Sequence, residues 1–72
     1  MFNDNEILAI GKLTGGKILN CHEWAVSENV RKSLKRKGII DYVLKDSKGA
    51  KGWKLSILGL SCADDLARFD LI

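Results

Sequence analysis

Apolar residues recur at helical spacing in four stretches of the chain and at alternate positions in two others. In residues 4–13 (DNEILAIGKL), Ile7, Leu8 and Ile10 are apolar and Leu13 follows Ile10 at helical spacing. This predicts a first helix, capped by Asn3 or Asp4 and ended by Thr14, Gly15 and Gly16. Gly11 inside it is expected to permit close packing against another helix. Residues 17–25 (KILNCHEWA) place Ile18, Cys21 and Ala25 on one face with Trp24 beside them, which predicts a short second helix. Residues 28–37 (ENVRKSLKRK) predict a third. Ser27 is its N-cap, Glu28 lies in its first turn, Arg36 and Lys37 lie in its last, and Gly38 follows at C′. At about 100° per residue, Val30 and Leu34 stack on one side while Arg31, Lys32, Lys35 and Arg36 fall on the other. Lys37 lies near the apolar edge, where a lysine snorkels, and Ile39 and Ile40 turn into the core.

The pattern then changes to a period of two. Residues 41–45 put Tyr42 and Leu44 on one face and Asp41, Val43 and Lys45 on the other. Residues 53–58 put Trp53, Leu55 and Ile57 on one face and Lys54 and Ser56 on the other. The intervening DSKGAKG supplies two glycines, an aspartate and two lysines, so the two strands form a basic hairpin with a tip at 46–52. Trp24 and Trp53 are expected in or near the core, with Trp53 packing beneath the hairpin instead of stacking on a base. A last helix is predicted over 61–70 (SCADDLARFD). Ser61 is its N-cap, Asp64 and Asp65 lie in its first turn, and Leu66 and Phe69 close the core or meet a partner chain.

These 72 residues, 46% of them hydrophobic, fit one α+β domain spanning 1–72. No apolar run approaches the roughly 18 residues a membrane span needs. Residues 1–6 carry acids and amides, unlike a signal peptide, so a cytoplasmic protein without membrane contact is expected. Two cysteines, Cys21 and Cys62, do not make a disulfide scaffold and are expected as small, mostly buried thiols.

Charge changes the picture most. Residues 1–30 hold two lysines against four acids, and residues 55–72 hold one arginine against three acids. Residues 31–54 hold nine basic residues against two acids, so one block carries all the excess behind a net charge of only +3. Such a block attracts a polyanion.

Other chemistry is poorly supported. Cys21, His22 and Glu23 are adjacent, and neighbours on a helix point apart instead of converging on a metal. His22 is the only histidine and has no nucleophile at a useful spacing. GKLTGGK lacks the full phosphate-loop pattern and no strand precedes it. No catalytic residue, metal or cofactor is expected, and the chain does not read as an enzyme.

The order helix, helix, helix, basic hairpin, short C-terminal helix resembles the winged helix-turn-helix domain of small transcriptional regulators, especially the MarR-like and ArsR-like groups. SENVRKSLKRKGIIDYVLKD, SKGAKG and WKLSILGLS carry the resemblance, which covers nearly the whole chain. Three features depart from it: the second helix is short, the turn Ala25-Val26-Ser27 has no glycine, and there is no length for the long dimerisation helices of MarR-like proteins.

The resemblance implies sequence-dependent binding of double-stranded DNA by a transcriptional regulator, with helix 28–37 in the major groove. Asn29 and Arg31 would reach base edges, while Lys32, Lys35 and Arg36 serve equally as phosphate contacts. Lys48 and Lys51 at the hairpin tip would follow the backbone or enter the minor groove, and Lys45 and Lys54 on its stem add to the same field. Roughly seven phosphate contacts would make binding steeply salt-dependent. Two alternatives stay open: a winged helix that docks on protein, and RNA binding by the same basic surface. A homodimer through the first and last helices also stays open, since no heptad repeat decides it.

Overall fold

The computed structural model describes residues 2–72. Met1, part of the expected domain and of the amino-terminal segment read above, lies outside the described residues. The elements run α1 (Asp4–Lys12), α2 (Cys21–Trp24), α3 (Glu28–Arg36), β1 (Ile40–Leu44), β2 (Lys51–Leu55) and α4 (Ile57–Arg68). This is a small α+β domain of four helices and an antiparallel two-stranded hairpin, arranged as a helix-turn-helix followed by a wing.

Side-chain caps decide where the helices begin. Asn3 accepts from the Glu6 amide while Glu6 reaches back to the Asn3 amide, a reciprocal box that opens α1. The same pairing of Asn20 with Glu23 opens α2. That box corrects the helix expected over 17–25. Gly15 and Gly16 both take positive φ, 79° and 75°, and the chain then runs extended until Asn20 caps a single turn. In the extended part Leu19 pairs with Trp53 through two backbone hydrogen bonds of 3.0 and 2.8 Å, adding a short third rung beside β2. Cys21, expected buried, is exposed in the short helix, and Cys62 is half-buried on α4.

Strand and helix boundaries also differ at the far end. The expected strand 53–58 ends at Leu55, and the helix expected over 61–70 begins at Ile57. Ser56, not Ser61, is its cap: the hydroxyl accepts from the Gly59 amide at 3.0 Å, and the Ser56 amide donates to the Ile39 carbonyl at 2.9 Å. Ile57 is therefore not a strand residue facing the core but an exposed first helical residue, and Asp64 and Asp65 do not occupy the first turn. Gly59 lets α4 start there, because a β-carbon at this position would fall 2.1 Å from the Ile39 carbonyl oxygen. Gly11 meets the C-terminal Ile72 and not another helix.

The core gathers Ala9, Ile10 and Leu13 of α1 and its C-cap with Trp24, Leu34, Ile39, Ile40, Trp53, Leu55 and Ala63. Trp24 sits at its centre and donates from its indole to the Ala9 carbonyl at 2.9 Å, so a buried polar group is satisfied. Leu66 packs against this core from outside, whereas Phe69 is 76% exposed. A second buried polar group ties α1 to α3. The Glu6 carboxylate accepts from Ser33 Oγ at 2.9 Å and Lys37 Nζ at 2.8 Å. Burial pushes the Glu6 pKa up, but hydrogen bonds from Lys37, the Asn3 amide and Ser33 outweigh it and hold the carboxyl below its ordinary value. No helix among the described residues is long and apolar enough to cross a membrane.

Candidate nucleic-acid interface

The candidate interface is built on α3, and its two ends fix its face. Ser27 caps it as expected, accepting from the Val30 amide at 3.3 Å. At the other end Gly38 takes φ 76°, its amide bonds to the Lys35 carbonyl, and the Ile39 amide bonds to the Leu34 carbonyl, both at 3.0 Å. This is a Schellman ending, and it delivers Ile39 into the core directly beside Leu34. With Leu34 fully buried and Val30 partly so, the opposite side of the helix is left to solvent.

That opposite side carries four of the expected residues together. Arg31, Lys32, Lys35 and Arg36 line an open groove of about 430 Å³, with Trp53 of β2 in its wall. Arg31 is the least exposed, at 28% for its side chain, because its guanidinium stands 5.6 Å from the centre of the Trp53 ring. Lys32 pairs with Glu28 at 3.1 Å and Arg31 approaches it at 3.8 Å, ordinary surface contacts along one helix. The hydrogen bond from Lys32, then the charges of Lys32 and Arg31, hold the Glu28 carboxyl below its usual range. Asn29 is exposed in the first turn of the helix.

The hairpin residues divide by strand face. The register sets Tyr42 opposite Trp53, Leu44 opposite Lys51 and Asp41 opposite Lys54. Lys51 therefore shares a face with Tyr42 and Trp53 and stands 5.8 Å from the Tyr42 ring. Lys54 projects from the other face, beside Leu13, Lys17 and Leu60. Lys48 lies on the tip, where Asp46 organises the turn by accepting from the Lys48 amide at 2.8 Å and the Ala50 amide at 3.2 Å. Lys45 is drawn to Glu23, an ion pair that joins the hairpin stem to α2. The Lys45 hydrogen bond, followed by that of the Asn20 amide, lowers the Glu23 pKa. Lys37 is held by Glu6 and stands 5.1 Å from the Phe2 ring, as a cation at an apolar edge should.

Sequence reasoning missed the aromatic part of this surface. Tyr42 was assigned only to a strand face, yet its ring lies 4.6 Å from that of Trp53 and half of the residue is exposed. The reason is the register: β2 starts at Lys51 and not at residue 53, so Lys51 and Gly52, expected on the tip, are strand residues, and Trp53 falls opposite Tyr42. Trp53 is packed beneath the hairpin as expected, but its indole Nε1 is buried with no hydrogen-bond partner among the described residues.

No group of three or more histidine, cysteine, aspartate or glutamate side chains placed to hold a metal is found among the described residues. Comparison with protein-family models, with curated proteins and with solved structures gives no match. The likeness to MarR-like and ArsR-like regulators thus rests on residue pattern and element order.

Proposed function

We propose that this chain is a winged helix that binds double-stranded DNA, with α3 in the major groove and the hairpin tip, residues 45–50 between β1 and β2, on the backbone or minor groove. The observation that carries this reading is the convergence of Arg31, Lys32, Lys35 and Arg36 on one groove beside the hairpin. A helix with one side buried and four cations on the other meets the electrostatic need of a phosphate backbone. Lys48 and Lys51 extend the same field along the hairpin. Asn29 and Arg31 are the base-reading candidates, and the three remaining α3 cations hold phosphates. A role in transcriptional regulation follows if the reading of base edges is sequence-dependent.

The test is a titration of the protein with random 20-base-pair duplex at two salt concentrations, beside a variant with Lys32, Lys35, Arg36 and Lys48 changed to alanine. Arg31 is spared because it covers Trp53. The parent should bind more weakly as salt rises, and the folded variant should lose about three to four from the slope of log affinity against log salt. A folded parent that binds no duplex at low salt sinks the proposal.

A second reading draws on a different observation. Leu8, Gly11, Ala67, Leu71 and Ile72, with Lys12 and Thr14, line a mainly apolar groove of about 470 Å³ between α1 and the C-terminal end. Ile57 and Phe69 are also exposed, at 89% and 76%. Such a surface suits protein contact, and a second copy of this chain would present two α3 helices to two half-sites. Sedimentation equilibrium of the parent and of Phe69→Ser, with and without duplex, separates a dimer from a monomer that docks on another protein.

A further inference from the structure

Tyr42 stands at the middle of β1 with 50% of its surface open, and Leu44 on the same face is 63% exposed. Single exposed apolar residues are ordinary. This one is not isolated. Lys51 lies over the Tyr42 ring at 5.8 Å, the Tyr42 and Trp53 rings meet at 4.6 Å and 39°, and Arg31 lies over Trp53 at 5.6 Å. Cation, aromatic, aromatic and cation therefore follow one another from the hairpin to α3. The row runs into the groove that gathers the α3 cations, because Trp53 belongs to both. At that junction the Trp53 indole N–H is a buried donor without an acceptor among the described residues, a feature that asks for an explanation.

A DNA duplex presents phosphates and base edges but keeps its base faces stacked inside. It can use the cations of α3 and has no use for an open ring. An unpaired base offers a π-face, with phosphates a few ångströms to either side. An aromatic ring flanked by cations matches both parts of that ligand. We infer that Tyr42 stacks an unpaired base where a duplex held on α3 gives way to single-stranded DNA, with the flexible Lys51 side chain leaving the Tyr42 ring for a flanking phosphate. This site rests on the reading of α3 as a duplex-holding surface and adds a ligand to it: a duplex with a single-stranded overhang.

The experiment compares a blunt 20-base-pair duplex with the same duplex carrying a five-nucleotide oligothymidine overhang, at one salt concentration. The parent should favour the overhang by on the order of tenfold, the gain expected from stacking one base. Tyr42→Phe keeps the ring and should keep the preference. Tyr42→Leu keeps apolar cover over Trp53 without a ring, and should bind the blunt duplex as the parent does while losing the preference. Circular dichroism and a thermal melt establish that both variants fold. Equal affinity of the parent for the two duplexes, or a preference that survives Tyr42→Leu, overturns the stacking site and leaves the α3 reading intact. A parent that binds no blunt duplex overturns the α3 reading, and this site with it.

Discussion

Residues 31–54 and residues 57–72 both expose side chains that the core does not use, and the two sets differ in kind. The first is cationic, and four of its members surround one groove with an indole in the wall. The second is largely apolar, with Ile57, Leu58, Leu60, Phe69 and Leu71 open to solvent among Asp64, Asp65 and Asp70. Cations around a concave surface draw a polyanion from a distance, whereas apolar area acts only on contact. One small core thus supports a surface suited to capturing nucleic acid and another suited to burial against protein. Gly59 seats α4 on Ile39 and Glu6 joins α1 to α3, which makes the difference open to test.

The largest effect is expected where the two regions meet, at Gly59. Alanine there places its β-carbon against the Ile39 carbonyl, backbone that cannot step aside without moving β1 or α4. Gly59→Ala should cost about 3 kcal/mol, a large share of the stability of a domain this small, read by urea denaturation. A loss under about 1 kcal/mol would mean that α4 is not seated on Ile39 as described.

Glu6 comes next, because it joins α1 to α3 from within. Glu6→Gln removes the charge that Lys37 faces and should cost about 1–2 kcal/mol at pH 7. The pH dependence has a definite sign. The folded pKa of Glu6 is lowered, so its contribution is present above the unfolded value of about 4.3 and is lost as pH falls through the folded one. The parent and Glu6→Gln should therefore converge in stability at low pH. A gap that stays constant from pH 7 to pH 3 would assign the loss to packing instead of charge.

A smaller gain is expected in the turn between α2 and α3. Ala25 sits in the left-handed region at φ 55° and ψ 43°, a conformation that disfavours a β-carbon. Ala25→Gly should stabilise the fold by roughly 0.5 kcal/mol after the extra freedom of glycine in the unfolded chain is counted, and raise the melting temperature by a few degrees. A lower melting temperature would contradict the geometry of this turn.

The smallest effect divides the hairpin itself. Lys51 shares the face of Tyr42 and Trp53, and Lys54 faces the other way. Lys51→Ala should lower the salt slope of duplex binding by about one, and Lys54→Ala should leave it unchanged. Equal effects would mean that the hairpin meets DNA through its tip or edge and not through one face.

The sequence was most legible where a local cap and a buried pattern agree. Ser27, Val30, Leu34 and Gly38 define α3 to within a residue, and its cationic side follows from helical geometry alone. It was least legible where two signals compete. Ser56 and Ser61 are both good N-caps, and only the contact of Ser56 with Ile39, across the hairpin, selects the first. Residues 17–20 read as helix because Ile18 and Cys21 share a helical spacing. The rung from Leu19 to Trp53 that keeps them extended is a long-range pairing that no local window contains. Arg31 and Lys45 could be named as basic residues on the expected elements. Their engagement by Trp53 and Glu23 depends on neighbours distant in the chain.

The central claim is that DNA meets the α3–hairpin region and not the α1–α4 region. Titrating isotope-labelled protein with a 20-base-pair duplex and following the backbone amides residue by residue tests it most directly. Shifts concentrated in residues 28–37 and 46–52, with 4–12 and 57–72 nearly unmoved, are the predicted result. Shifts concentrated in α1 and α4, or none at saturating duplex in low salt, would contradict it.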